Sequence, residues 1–116
     1  MNSQKLKFIV FYNIPATVMA DWTKTDPNAR IAAEEKMKVE WQKWTGEHAS
    51  VITLTEACGK TKKITASGIS DTKNDICLYS FVEAESQEAA AQIFKNHPHL
   101  QIPQSSIEVM AVRVMG

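Results

Sequence analysis

The residues best suited to chemistry in this chain are two histidines one residue apart, His97 and His99, with Pro98 between them. They follow a predicted helix, in the loop that enters the last predicted strand, and such a loop can deliver an imidazole to a cleft. Because histidine titrates near neutral pH, either ring is a candidate proton carrier. The competing interpretation is that both imidazoles cap carbonyls or face solvent, since helix C-termini favour histidine in any case.

Two aspartates that precede a predicted strand, Asp71 and Asp75, are the candidate catalytic partners of these histidines. In an acid–base site one of them would orient the imidazole, whereas in the alternative interpretation both are ordinary loop or turn residues. A metal site would need a third ligand, such as His48, an aspartate or a cysteine, and none of these stands at a recognised metal-ligand spacing. We therefore expect neither a metal nor another bound cofactor.

Three aromatic residues, Tyr12, Trp22 and Trp41, are candidates for lining a ligand pocket. Trp41 and Trp44 fall on one stripe of a predicted helix, and tryptophans at helical spacing more often belong to the core. Both interpretations hold together if the pocket is a gap in the core between helix and sheet.

Apolar runs predict the strands that position these residues. The strands are expected at 6–13, 51–57, 76–82 and 106–115. Gly59 and Lys60 resemble a turn after which 63–67 continues as a hairpin partner, and 68–74 is expected to be a polar loop.

Helix signals stand between these strands. Asp26 and Pro27 are typical of a helix start, and Gly46 is the predicted stop of that helix. A shorter helical stretch is expected at 16–22, and Ser86 is the predicted cap of a last helix over 87–96.

The element order of strand, helix, strand or hairpin, strand, helix, strand predicts an α+β fold. Specifically, it is the ferredoxin-like βαββαβ arrangement with an antiparallel sheet, in one domain over 1–116. Two helices can cover only one face of such a sheet, yet the strands are apolar on both faces, whereas a water-facing side should be polar. We therefore expect a homodimer that buries the second face, with Leu78, Val109 or Ala111 near its centre.

Composition excludes several classes of partner. Lysine plus arginine and aspartate plus glutamate number 13 each, so the net charge of zero favours neither nucleic acid nor an anionic membrane. No segment approaches the roughly 20 consecutive apolar residues of a membrane span. The apolar run after Lys7 is interrupted by Tyr12, Asn13 and Pro15, which argues against a signal peptide. A cytoplasmic protein is the expectation.

In the order and spacing of four short motifs, the chain resembles the YCII-related proteins. The motifs are 7–12 (KFIVFY), 81–91 (FVEAESQEAAA), 97–100 (HPHL) and 106–109 (SIEV), and the resemblance spans roughly 6–114. It implies a dimeric α+β barrel. Some relatives are thought to use a histidine of the first helix with an aspartate for acid–base work, and most have no assigned reaction. This chain has no histidine between Pro15 and Thr45.

Two hypotheses of function follow. In the first, the protein is a small-molecule-binding dimeric barrel, and the sequence leaves open whether it is also an acid–base enzyme of the lyase, isomerase or hydrolase type. In the second, it is a non-catalytic module that binds a metabolite or a protein. A weaker alternative is a cofactor-free or haem-using monooxygenase, which rests on fold analogy alone.

Overall fold

The computed structural model describes residues 5–115. The strands are β1 (Leu6–Asn13), β2 (Ile52–Ala57), β3 (Thr61–Thr65), β4 (Gly68–Thr72), β5 (Ile76–Ala84) and β6 (Ser106–Ala111). The helices are α1 (Ala16–Thr23), α2 (Pro27–Glu47) and α3 (Gln87–Ile93), and a short 3₁₀ turn spans Pro98–Gln101.

The main sheet has four strands in the order β2-β5-β1-β6, and every neighbouring pair is antiparallel. In chain order these are the second, third, first and fourth strands of the sheet, so the two central strands are not consecutive in sequence. That order is the ferredoxin-like one. The predicted α+β fold with an antiparallel sheet is therefore confirmed.

Helix α2 begins as predicted but ends later. The Asp26 carboxylate accepts a hydrogen bond from the N–H of Ala29, and Pro27 occupies the first turn. The prediction that Gly46 ends this helix is wrong, because Gly46 lies inside the last turn and His48 is the cap. No helix among residues 5–115 is both long enough and apolar enough to cross a membrane.

The segment between β2 and β5 folds into a two-stranded hairpin of its own. Strands β3 and β4 pair with each other and not with the main sheet. The prediction of a polar loop over 68–74 is wrong for most of that range, since Gly68–Thr72 is a strand. The hairpin closes on Gly68, whose φ of 142° is a conformation that glycine adopts readily.

Two elements are shorter than predicted. Helix α3 starts after the Ser86 cap as expected but ends at Ile93 and not at residue 96. The chain turns there, with the N–H of His97 bonded to the carbonyl of Phe94. Strand β6 ends at Ala111 and not at residue 115, and one further backbone hydrogen bond to β1 follows it, from the N–H of Val112 to the carbonyl of Lys7.

One face of the sheet carries the core. Phe8, Val10 and Tyr12 of β1 are almost completely buried, and Trp44 of α2 and Phe94 after α3 pack on them. The side chains suggested above for the centre of a dimer interface lie on this same face. Their Cα partners are Tyr12 for Leu78, Val10 for Val109 and Phe8 for Ala111, and paired residues share a face. That prediction is therefore wrong, because these residues face the helices.

The opposite face has no helix on it and carries an apolar row across all four strands. The row, called here the apolar row, consists of Leu54, Phe81, Ile9 and Met110 in sheet order. Met110 is 48% exposed and Leu54 38%. The molecule measures 55 × 44 × 19 Å with a radius of gyration of 16.5 Å. A compact chain of this length has a radius of about 13 Å, so this one is flat and open-faced.

Candidate functional site: a buried histidine–aromatic cluster

The sequence His-Pro-His fixes the orientation of the first imidazole. His97 is the cap of the 3₁₀ turn, and its Nδ1 accepts a hydrogen bond of 2.9 Å from the N–H of His99. Proline has no N–H, so the first backbone donor after His97 is that of His99. The local sequence therefore holds this ring against its own backbone.

This contact also fixes where the proton of His97 lies. A nitrogen that accepts a hydrogen bond cannot carry a proton, so the neutral ring is protonated at Nε2. That nitrogen is buried and has no hydrogen-bond partner among the described residues. Burial, with smaller contributions from the neighbouring His99 and His48, lowers the pKa of His97 to about 3. The ring is therefore a neutral N–H donor at physiological pH.

His99 ties the turn to the end of β1. Its Nε2 donates a hydrogen bond of 3.0 Å to the carbonyl oxygen of Asn13, because a carbonyl can only accept. Burial lowers the pKa of His99, and hydrogen bonds to the backbone of Asn13 and Ser106 partly offset this effect. Both predicted histidines are 1% exposed, so they are neither in solvent nor at an open cleft.

Aromatic rings surround the imidazoles in what is called here the histidine–aromatic cluster. The Trp41 and Trp44 ring centroids lie 4.2 and 4.3 Å from that of His97, each in an edge-to-face arrangement. Tyr12 lies 5.3 Å from His97 and 5.6 Å from His99. The members are Tyr12, Trp41, Trp44, Phe94, His97 and His99. Helix α2, strand β1 and the segment after α3 thus meet at one point.

A chain of hydroxyl groups leads from this cluster to the β2 edge of the sheet. Tyr12 is hydrogen-bonded to Ser80 at 2.8 Å, and Ser80 to Thr55 at 2.7 Å. Ser80 is completely buried. Burial raises the pKa of Tyr12 to about 12, although the bond to Ser80 opposes this effect. Tyr12 is therefore a neutral hydroxyl group in this setting and not a phenolate.

We expect the variant Ser80→Ala to lose about 1–3 kcal/mol of unfolding free energy, because it leaves the buried Tyr12 hydroxyl without its partner. Urea denaturation measures this loss. In the double variant Ser80→Ala with Tyr12→Phe both partners are gone, so the loss should be smaller than the sum of the two single losses. Strictly additive losses would contradict the contribution of this hydrogen bond.

The other predicted site residues lie elsewhere. The Asp71 carboxylate is exposed on β4 and bonds to the ammonium of Lys62 at 2.5 Å. Asp75 is exposed just before β5, and its backbone carbonyl accepts a hydrogen bond from the N–H of Ile14. Trp22 is on α1, where its indole N–H donates to Glu34 at 3.4 Å. The structure thus joins Tyr12, Trp41 and both histidines, but not the aspartates or Trp22.

Three members of this region were outside the predicted site: Trp44, Phe94 and Ser80. Trp44 is on the predicted stripe of the long helix and Phe94 is within the predicted last helix, but neither position indicates which residue is its neighbour. Ser80 is a polar residue at a central position of an apolar strand, and such a residue needs a buried partner. The polar Ser80 within an apolar strand was the one sequence signal for this hydrogen bond, and it does not indicate that the partner is Tyr12.

A cavity of about 490 Å³ lies between α3, the 3₁₀ turn and β6. Its inner wall is apolar, formed by Ile107, Val109 and Phe94. The ring centroid of Phe94 is 6.0 Å from that of His97. Phe94 is therefore the side chain that belongs both to the cavity and to the cluster. Among residues 5–115 there is no group of three or more His, Cys, Asp or Glu side chains arranged to hold a metal ion.

Comparisons with known proteins show a distant structural likeness. No protein-family model and no curated protein matches the chain. The chain is similar to the solved structure of 5-chloro-2-hydroxyhydroquinone dehydrochlorinase from Burkholderia phenoliruptrix AC1100 in complex with 2,5-dihydroxybenzoquinone. The identity is 15%, the TM-score is 0.44, and the match covers 89% of this chain and 90% of that one. A likeness this distant assigns no reaction, so the fold assignment rests on the strand order above.

Proposed function

We propose that this protein is a homodimer that binds a planar small molecule at the histidine–aromatic cluster, where Nε2 of His97 donates a hydrogen bond to a ligand oxygen. The observation that carries this proposal is the buried, unpartnered Nε2–H. A buried donor without a partner costs about 1–3 kcal/mol, and a ligand oxygen would remove that cost. Membership of the YCII-related family and a cytoplasmic location stay predictions.

The surroundings of Nε2 support a flat ligand with an acceptor oxygen. Trp41, Trp44 and Phe94 offer ring faces and edges, and aromatic rings pack well on such surfaces. The cavity beside α3 provides the approach, and its volume of about 490 Å³ is in the usual range for ligand pockets. Phe94 lines the cavity and its ring centroid lies 6.0 Å from that of His97, so it is the side chain that would have to move for a ligand in the cavity to meet Nε2.

The open sheet face supports the dimer. The apolar row lies on the sheet face away from the core, where Leu54 and Met110 are 38% and 48% exposed and the Lys7 ammonium lies over the Phe81 ring. A second copy related by a two-fold axis would bury the row against itself and close two sheets into a barrel. The flat shape of the single chain agrees with such a partner.

The protonation and the hydrogen bonds of both imidazoles favour a role in ligand binding over a role in proton transfer. His97 is neutral with Nδ1 occupied by a backbone N–H, and the Nε2–H of His99 is occupied by a backbone carbonyl. An acid–base enzyme is the second candidate, because a neutral imidazole N–H can polarise a carbonyl oxygen. In that case His97 would be the electrophile and would not itself change protonation.

Acetophenone is a suitable probe, because it is planar and has a single acceptor oxygen. We expect His97→Leu to weaken its binding about tenfold, since one hydrogen bond of about 1.4 kcal/mol is lost. His97→Gln keeps an N–H donor and should retain most of the affinity. The infrared carbonyl stretch of the bound probe should shift to lower frequency in wild type and His97→Gln, but not in His97→Leu.

Two results would overturn the proposed ligand contact. One is an unchanged affinity and carbonyl stretch in a folded His97→Leu variant. The other is an absence of saturable acetophenone binding to the wild-type protein at millimolar concentration. Far-ultraviolet circular dichroism of each variant checks that a lost signal does not come from unfolding.

A further inference from the structure

A second cavity, of about 820 Å³, shares no lining residue with the cavity beside α3. Helix α1, the base of the β3–β4 hairpin and the start of β5 form its walls, and none of the members of the histidine–aromatic cluster lines it. It is large enough for a metabolite-sized ligand. Nothing in the proposed function above uses this cavity.

The two walls of this cavity differ in chemistry. One wall is apolar and includes Ile14 and Met19, from α1 and the residues before it, and Ile76 at the start of β5. The other wall belongs to the hairpin and its flanking residues and carries Lys60, Lys62 and Lys73. The cavity therefore separates an apolar surface from a cationic one.

The cationic wall carries an excess of positive charge. Asp71 is the acidic residue of the lining, and it is already paired with Lys62. Within residues 5–115, neither Lys60 nor Lys73 has a carboxylate within salt-bridge distance. The chain as a whole has a net charge of zero, so this excess of positive charge is local. A cleft lined by one sign of charge concentrates ligands of the opposite sign.

We propose that this cavity binds a small amphipathic anion, with its carboxylate or phosphate group between Lys60 and Lys73 and its apolar body against α1. Lysine ammonium groups suit both kinds of head group. Burial of the apolar body supplies the remaining affinity.

Isothermal titration with three probes of one chain length tests this proposal: octanoate, octyl phosphate and the neutral 1-octanol. Either anion should bind at least about tenfold more tightly than 1-octanol, and the ratio of the two anions identifies the preferred head group. The variants Lys60→Glu and Lys73→Glu should each weaken anion binding about tenfold or more. Lys63→Glu is the matched control, because Lys63 is exposed on β3, does not line the cavity, and undergoes the same charge change.

Alkylation of Cys77 reports whether the anion binds in this cavity. It lines the cavity, and the chain has two cysteines, so in Cys58→Ser it is the single thiol. Bound anion should slow alkylation of Cys77 by iodoacetamide, with half-protection at the dissociation constant found by titration. In Cys58→Ser with Lys73→Glu that protection should require about tenfold more anion.

Three results would overturn this proposal, and none of them bears on His97 or on the dimer. The first is equal binding of 1-octanol and the anions, which would mean that the charged wall contributes nothing. The second is an equal loss of affinity in Lys63→Glu, which would indicate long-range charge alone. The third is saturating anion without any protection of Cys77, which would place the anion elsewhere.

Discussion

An Ile9→Asp variant is expected to be a monomer at concentrations where the wild-type protein is a dimer. Ile9 is on a central strand, in the middle of the apolar row, between Phe81 and Met110. In a two-fold dimer the substitution would bury two unpaired carboxylates, which is strongly unfavourable. We expect the dissociation constant to rise by at least about 1,000-fold, which corresponds to about 4 kcal/mol. Sedimentation velocity at several concentrations measures this change.

Val39→Asp is the matched control for this variant. Val39 is on α2, in the helix layer on the other side of the sheet, and is 64% exposed, so an added carboxylate there stays in water. It should leave the dimer intact. A wild-type protein that sediments as a monomer at micromolar concentration would refute the dimer, and a dimeric Ile9→Asp would show that the apolar row is not its interface.

The arrangement of charges on the open face supports this choice of interface. The next row of the sheet is Glu56, Tyr79, Phe11 and Glu108, so its acidic residues stand on the two edge strands. Glu56 accepts a hydrogen bond from the Tyr79 hydroxyl, and Glu108 accepts one from Asn13. On its other side the apolar row is bordered by Lys7 and Glu83 of the central strands, and the Lys7 ammonium lies 4.5 Å from the Phe81 ring centroid. Polar groups thus border the apolar row on both sides, as they do at the rim of a protein interface.

Local signals in the sequence were sufficient for most of the fold. The strand β1 was predicted with both its ends correct, and the caps Asp26 and Ser86 start their helices as expected. These features depend on neighbours in sequence. The hairpin strand Gly68–Thr72 was missed because Ile69 is its single large apolar residue and that side chain is exposed, so no apolar alternation marks the strand.

The sequence could not show which set of alternating side chains in each strand faces the helices. Leu78 and Val109 alternate with apolar neighbours on both sides, so either set is compatible with a buried face. Only the pairing of Tyr12 with Leu78 and of Val10 with Val109 shows which set meets the helices. Register between distant strands decides this, and it is set by the packing of the whole sheet.

In the candidate site, too, the local features could be predicted from the sequence, whereas the contacts between distant segments could not. The spacing of His97 and His99 was enough to select them, and the missing N–H of Pro98 explains the contact between them. Their isolation from Asp71 and Asp75 was not predictable, because it depends on how the hairpin leaves the main sheet. Backbone groups, and not the expected aspartate, form the hydrogen bonds with the two imidazole rings.

The buried histidines should make the protein less stable as the pH falls below about 6.5. In the folded protein the pKa of His97 is lowered from 6.5 to about 3, so the folded state stays neutral where the unfolded state takes up a proton. The stabilisation is fully present above the unfolded pKa and is lost as the pH falls towards the folded one. His99, whose pKa is also lowered, acts in the same direction.

Between pH 6.5 and 5 we expect His97 alone to account for a loss of about 1–2 kcal/mol of unfolding free energy, since a full proton corresponds to about 1.4 kcal/mol per pH unit. This window lies above the range in which most carboxylates titrate. Urea denaturation at fixed protein concentration measures the loss, and His97→Phe should remove His97's share. Ring resonances of His97 followed by nuclear magnetic resonance provide a test that needs no variant. A His97 ring that titrates between pH 7 and 5 in the folded protein would contradict both its burial in the neutral form and its assignment as a fixed N–H donor.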